Sequence, residues 1–552
     1  MTDYIKIAGG TIHDPANDVD GATRDIWISD GKIVAPPEDA SVKPNRTIDA
    51  QGLVVMPGGI DMHCHIAGPK VNTARKMRPE EKRASEVVHR TTNTRSGTMG
   101  SVPSTFATGY KYAGLGYTTA FDAAILPLGA RHAHEEFDDT PCIDKGFYVL
   151  MGNNHYVMKS IAENEPQKLK AFIGWLLKST KGFAPKLVNP GGVEVWKQKQ
   201  AGNVHGLDSE VDHFNVTPRQ IVSQVTQAAN ELGLPHPVHI HCNNLGMPGN
   251  WETTLETMKA LNGHKGHLTH IQFHSYGGGD ADENTFNSKV TQLAEYVNTH
   301  DNITVDVGQV LFGETTSMTG DGPLGYFLSN VYGGKWYSGD TEMEAGCGIT
   351  PIKYKNKSLV HALQWAIGLE WYLQVEDPWR VVMSTDHPNG GSFLAYPQII
   401  RYLMDRQYRK DVIKTCHPRV KDRCTLGDIE REYTLNEIAI ITRAGPARIL
   451  GLKNKGHLAP GADADITVYT PHENKETMFE LPRLVIKDGE IIVDQGDMRD
   501  PRNGKTLHVL PEYDTGVETD IQAWFEEYYS IQWRNYPVDD SYLHRSEVVA
   551  GR

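Results

Sequence analysis

The chain has 552 residues, 39% of them apolar and 22% charged, ordinary values for a folded protein long enough to bury an extensive core. A formal charge of −14 and a pI near 5.9 argue against nucleic acid or an anionic membrane as a bulk partner, since both need a basic footprint. Six scattered cysteines with no CxxC pair argue against a disulfide framework and an iron–sulfur cluster. No run of 18 apolar residues spans a bilayer, and residues 1–6 do not open a signal peptide, so a cytoplasmic location is expected.

In chain order, Ile5-Lys6-Ile7, Ile26-Trp27-Ile28 and Lys32-Ile33-Val34 read as short strands broken by Gly9-Gly10 and Ser29-Asp30-Gly31. The same texture returns at Ala464 to Tyr469, Leu484-Val485-Ile486 and Ile491-Ile492-Val493. Two β-rich pieces at opposite ends predict one composite β-sandwich domain built from residues 1–54 and 445–500. Between them, residues 55–444 alternate β-branched runs with helical stretches. Eight candidate strands lie near 55–65, 117–124, 147–153, 185–189, 237–242, 267–273, 303–309 and 381–387. The clearest helix begins at Thr217-Pro218, an N-cap and first-turn pair, and continues with Ile221, Val222, Val225, Ala228, Ala229 and Leu232 at helical spacing. Eight strands separated by helices favour a closed (β/α)8 TIM-like barrel over an open sheet. Stretches 66–116, 190–216 and 310–360 are too long for plain connections and read as lids or assembly surfaces. The extension 501–552, with Trp524, Phe525, Tyr528, Tyr529, Trp533 and Tyr536, is too aromatic for a free tail and reads as packed on this chain or on a partner.

The chemistry-bearing residues fall at strand ends. His63 and His65 close the first strand and share one face, as side chains two apart do. Lys186 sits on the fourth strand, His239 and His241 on the fifth, His267, His270 and His274 along the sixth, and Asp386 closes the eighth. Each alone has a bland explanation: a packing histidine, a surface lysine, a capping aspartate. Together they form a convergent nitrogen and oxygen set at the barrel end where such enzymes keep their catalytic groups, suited to Zn²⁺ or a similar ion.

Val54-Val-Met-Pro-Gly-Gly-Ile-Asp-Met-His-Cys-His65 resembles the opening motif of the amidohydrolase superfamily. Ala444-Gly-Pro-Ala-Arg-Ile-Leu-Gly-Leu452, followed by the segment Lys455 to Val468, resembles its closing motif. A narrower likeness runs through His65 to Asn72, Ala130 to Glu136 with Asp139-Thr-Pro141, Lys186 to Gly192, His241 to Gly246, Ala362 to Glu370 and Thr385 to Gly391. These blocks resemble the A-type subunits of formylmethanofuran dehydrogenases and equally their counterparts in the bacterial formyltransferase/hydrolase complex. The resemblance implies a binuclear centre of two divalent ions, of zinc type, bridged by a carboxylated Lys186. Its ligands would be His63, His65, Lys186, His241, His270 and Asp386; His239, His267 and His274 stand as alternative ligands or as groups that orient them.

The resemblance also implies a reaction: N-formylmethanofuran and water interconverting with formate and methanofuran, inside a complex whose other subunits carry the redox chemistry. The residue types suit that task. A buried lysine whose amine falls below its usual ~10.4 can add CO2 and become a two-oxygen bridge. Asp386 would be the catalytic base and then acid. Methanofuran carries an acidic tail, for which Lys70 and Arg75 are candidate contacts, though they also read as a solvated basic face; Asn243, Asn244 and Asn389 could hydrogen-bond the amide or formate. The competing readings are another cyclic-amide or N-acyl hydrolase, such as a dihydropyrimidinase or a D-aminoacylase, and a non-catalytic scaffold barrel.

Overall fold

The computed structural model describes residues 3–39, 41–199, 203–279, 283–339 and 347–552. Eight parallel strands follow one another around the central sheet: Gly59–Cys64, Tyr117–Ile125, Asp144–Leu150, Ala184–Val188, Val238–His241, Gly266–Leu268, Ile303–Asp306 and Val381–Val382. A bridge between Cys64 and His387, with His65 N–H donating to the His387 carbonyl at 2.7 Å, joins the first strand to the end of the eighth and closes the barrel. The expected helix Pro218–Glu231 is present, started by a reciprocal capping box between Thr217 and Gln220. Its apolar side (Ile221, Val222, Val225, Ala228, Ala229) is buried in the main core.

Three expectations need correction. The run 55–65 is two strands: Val54–Pro57 belongs to the outer β domain and Gly59–Cys64 to the barrel. The chain crosses at Pro57-Gly58-Gly59, where a Cβ on Gly58 would meet Thr118 Oγ1 at 2.3 Å, so only glycine lets the two sheets approach there. The strands of the β domain are hydrogen-bonded into one continuous nine-stranded mixed sheet, not two separate ones. Its first strand, Ile5–Asp14, carries two bulges and pairs with three neighbours, so the sheet bends around the core formed by Ile7, Ile26, Ile28, Val55 and Ile466. Finally, residues 445–452 pack with the barrel: Ala447, Ile449 and Leu450 lie in its core, and the β domain resumes near Leu458.

The extension is held on this chain. Thr506–His508 pairs with the base of the third barrel strand at Lys145 and with Ser546–Val548. Trp533 and Tyr536 stack on Trp175 of the helix Pro166–Thr180, at ring separations of 4.7 and 5.6 Å. Residues 313–339 and 347–354 form an insertion over the barrel mouth: strands Gly313–Thr319, Tyr337–Gly339 and Cys347–Tyr354 with the helix Gly322–Tyr332. Among the described residues, no helix is long and apolar enough to cross a membrane.

Candidate metal centre at the barrel mouth

A cavity of about 360 Å³ opens at the C-terminal ends of the strands, and His63, His65, Lys186, His241, His270 and Asp386 all line it. Asp386 Oδ1 lies 2.9 Å from His63 Nε2 and 3.1 Å from His65 Nε2. The His241 and His270 rings meet edge to face at 4.7 Å, and the His63 and His270 rings at 5.3 Å. Burial raises the Asp386 carboxyl, but His63 and His270 outweigh it and hold the group well below the usual carboxylate range.

Two of these residues occupy left-handed backbone that side chains normally avoid: His270 at φ 35° and Asp386 at φ 51°. His270 leaves the short sixth strand and turns at once into Ile271–His274, which swings its imidazole over the mouth. Room for that turn comes from Gly308, where a Cβ would fall 2.4 Å from the His270 Cβ. Lys186 is the most unusual member. It is 1% exposed, its Nζ has no hydrogen-bond partner among the described residues, and burial lowers its amine to about 7.

The alternative histidines separate by depth. His239 and His267 point into the same barrel interior one layer lower, stacked on each other at 4.7 Å and away from the cavity lining. His239 Nε2 lies 2.9 Å from His63 Nδ1 and His267 Nε2 lies 3.1 Å from Asp306 Oδ2, so both support the layer above. His274 is buried beside His241 and His270 but does not line the cavity.

Three buried aspartates that the sequence did not single out hold the set in place. Asp306 ends the seventh strand, with its carboxylate 3.2 Å from His63 Nδ1 and accepting from the His270 N–H at 3.1 Å. Asp122, on the second strand, accepts from the Ile66 and Ala67 N–H groups at 2.7 and 3.0 Å and faces His65 Nδ1 at 3.8 Å. Asp321, from the insertion, lies 3.2 Å from His241 Nε2. The available signal was an acid inside an otherwise uncharged β run, as in Tyr117-Thr-Thr-Ala-Phe-Asp122 and Ile303-Thr-Val-Asp306. Such an acid must be buried and therefore partnered.

The substrate candidates divide. Asn389 lines the cavity, its Oδ1 accepting from Met318 N–H at 2.7 Å. Asn243 lies behind the rim, donating to Asn189 Oδ1 at 2.8 Å and the Pro190 carbonyl at 3.0 Å, and Asn244 faces a neighbouring cavity. The expected basic groove at Lys70 and Arg75 is corrected: neither side chain lines the cavity. Lys70 is buried and donates to the Ala124 carbonyl at 2.6 Å, while Arg75 pairs with Glu136 and donates to the Ile66 and Pro103 carbonyls. Both cations brace the loop that follows the first strand.

Comparison with known proteins agrees with this geometry. A family model described as the amidohydrolase family matches residues 46–493, and the chain belongs to that family. Within it, the chain is 44% identical to Protein FwdA of Methanocaldococcus jannaschii, over 99% of this chain and 98% of FwdA. It is 37% identical to the A component of the formyltransferase/hydrolase complex Fhc of Methylorubrum extorquens, over 97% and 96% of the two chains. The crystal structure of the Methylorubrum extorquens FhcABCD complex with methylofuran contains a chain that superposes with a TM-score of 0.91 at 35% identity, covering 99% of this chain and 100% of that one. N-acyl-D-glutamate deacylase of Bordetella bronchiseptica, at 15% identity and a TM-score of 0.50, shares the fold.

Proposed function

We propose that this chain cleaves and forms the formamide bond of N-formylmethanofuran, interconverting it and water with formate and methanofuran as one member of a larger complex. The observation that carries the reading is the convergence of six side chains from five strands on one cavity, in a chain that matches FwdA and the Fhc A component along nearly its whole length. The donor set fits a pair of divalent ions, of zinc type: four imidazoles, a carboxylate, and a buried lysine nitrogen with no hydrogen-bond partner among the described residues. His63, His65, His241, His270 and Asp386 would hold the ions, with Lys186 carrying CO2 as a carbamate between them. When bound, the pair supplies Lewis-acid activation of the formyl carbonyl and of the attacking water.

The protein's own groups supply the rest. Burial keeps a free-amine fraction on Lys186 near neutral pH, the form that adds CO2. Asp386, held ionised by His63 and His270, accepts the proton of the attacking water and returns it to the departing amine nitrogen. Balance is simple: the C–N bond breaks, a C–O bond forms, and water's hydrogen ends on the amine. Asn389, fixed by the Met318 N–H, offers its amide N–H2 to the formyl or formate oxygen. Phe273, Phe286, Leu324, Phe327 and Ile352 give the outer cavity an apolar wall for the body of the carrier beyond the formyl group.

The test is formate release by the metal-loaded protein from N-formylmethanofuran, run beside hydantoin and dihydrouracil. Turnover confined to the formamide is expected. Preferential opening of the cyclic amides would transfer the chain to another amidohydrolase activity, and fewer than one bound ion per chain would make it a scaffold.

A further inference from the structure

Of the contacts that hold the insertion over the mouth, one carboxylate reaches a residue of the candidate centre. Asp321 is the N-cap of the helix Gly322–Tyr332: its Oδ1 accepts from Leu324 N–H at 3.4 Å, and its own N–H donates to Thr319 Oγ1 at 3.0 Å. The same side chain is 2% exposed and faces downward. Its Oδ1 accepts from Asn189 Nδ2 at 3.0 Å, and its Oδ2 lies 3.2 Å from His241 Nε2. A carboxylate accepts only, so Nε2 carries the imidazole proton and Nδ1 keeps the lone pair. The helix so capped supplies Leu324, Phe327 and Leu328 to the cavity wall, and its last residue, Tyr332, meets His361 Nε2 at 2.7 Å.

We propose that Asp321 is a positioning residue for His241, and that through it the seating of the helix Gly322–Tyr332 is coupled to metal occupancy at the centre. The inference rests on the metal-centre reading above. Fixing the tautomer and ring plane of a ligand histidine strengthens its lone pair, an effect worth about 10–100-fold in metal affinity. Coupling of this kind is reciprocal, so metal bound at His241 holds Asp321 in place and with it the first turn of the helix.

The test uses the full chain, stripped by chelator and reloaded with Zn²⁺, in three forms: wild type, Asp321→Asn and Asp321→Ser. Serine caps a helix well but is too short to reach His241, so it separates capping from positioning; asparagine keeps a neutral acceptor at the same reach. Competition against a chelator is expected to show one of two zinc equivalents weakened about 10–100-fold in Asp321→Ser, with Asp321→Asn between it and wild type. Hydrogen exchange across residues 322–332 is expected to slow on zinc loading in wild type and to ignore zinc in Asp321→Ser. Wild-type protein that binds no zinc would sink the metal centre itself. Two tight sites in all three forms, or equal protection of the helix by zinc in wild type and Asp321→Ser, would overturn the coupling alone.

Discussion

The two ends of the barrel each hold a buried lysine among buried carboxylates, and the protein treats them in opposite ways. At the base, Lys455 contacts Asp144, Asp463 and Asp465 at 2.5, 2.8 and 2.9 Å, and Lys487 contacts Asp144 and Asp465 at 3.0 and 3.1 Å. Burial lowers the Lys455 amine, but its three carboxylates outweigh this and push it well above the ordinary range. At the mouth, Lys186 has no hydrogen-bond partner among the described residues, and burial lowers its amine to about 7. The three base carboxylates are spaced closely enough to hold an ion, yet a lysine of the chain already fills their centre. The base is a neutralised strut between barrel and β domain. The mouth keeps its lone pairs for something from outside. Carboxylate spacing alone does not mark a metal site; what matters is whether the protein supplies its own cation.

That contrast can be broken in four ways. The largest effect belongs to Lys186→Ala, which should lose bound metal and all detectable turnover, with partial rescue by short-chain carboxylic acids that supply the oxygens of the proposed carbamate. Unchanged metal content would remove Lys186 from the centre. Asp386→Asn should keep most of the metal, read by elemental analysis, while turnover falls about 10²–10⁴-fold. A near-wild-type rate would take proton transfer away from Asp386.

At the base the readout is stability rather than activity. Asp144→Asn leaves Lys455 and Lys487 short of a buried partner and should cost about 3–5 kcal/mol in denaturant unfolding, with metal content untouched. A loss of metal with no loss of stability would reverse the assignment of the two ends. The smallest effect is with pH. Burial raises the Asp463 carboxyl, but Lys455 and Lys32 outweigh it and hold it at about 2. A lowered carboxyl stabilises the fold above its unfolded value of about 4 and loses that contribution as pH falls toward the folded value. The stability gap between wild type and Asp463→Asn should therefore narrow as pH drops from about 4 to about 2. A gap that widens with acid would contradict the pairing.

Local pattern was enough to locate the eight strands, though not their bounds, and to find the capped helix at Thr217 and the rim residues His63, His65, Lys186 and Asp386, because strand periodicity and turn chemistry act over a few residues. It could not choose between His239 and His241. Two residues apart on one strand, they face the same interior and differ only in depth, which the stagger of neighbouring strands decides. Nor could it find Asp321, which reaches His241 across 80 residues, or the lysines that close the base from another domain. The placement of His270 rather than its neighbours at the cavity rests on a left-handed turn for which Gly308, just past the end of the next strand, leaves space. The residue types at the strand ends were written locally, whereas orientation, depth and charge balance came from contacts between segments far apart in the chain, and only the closed barrel brings those together.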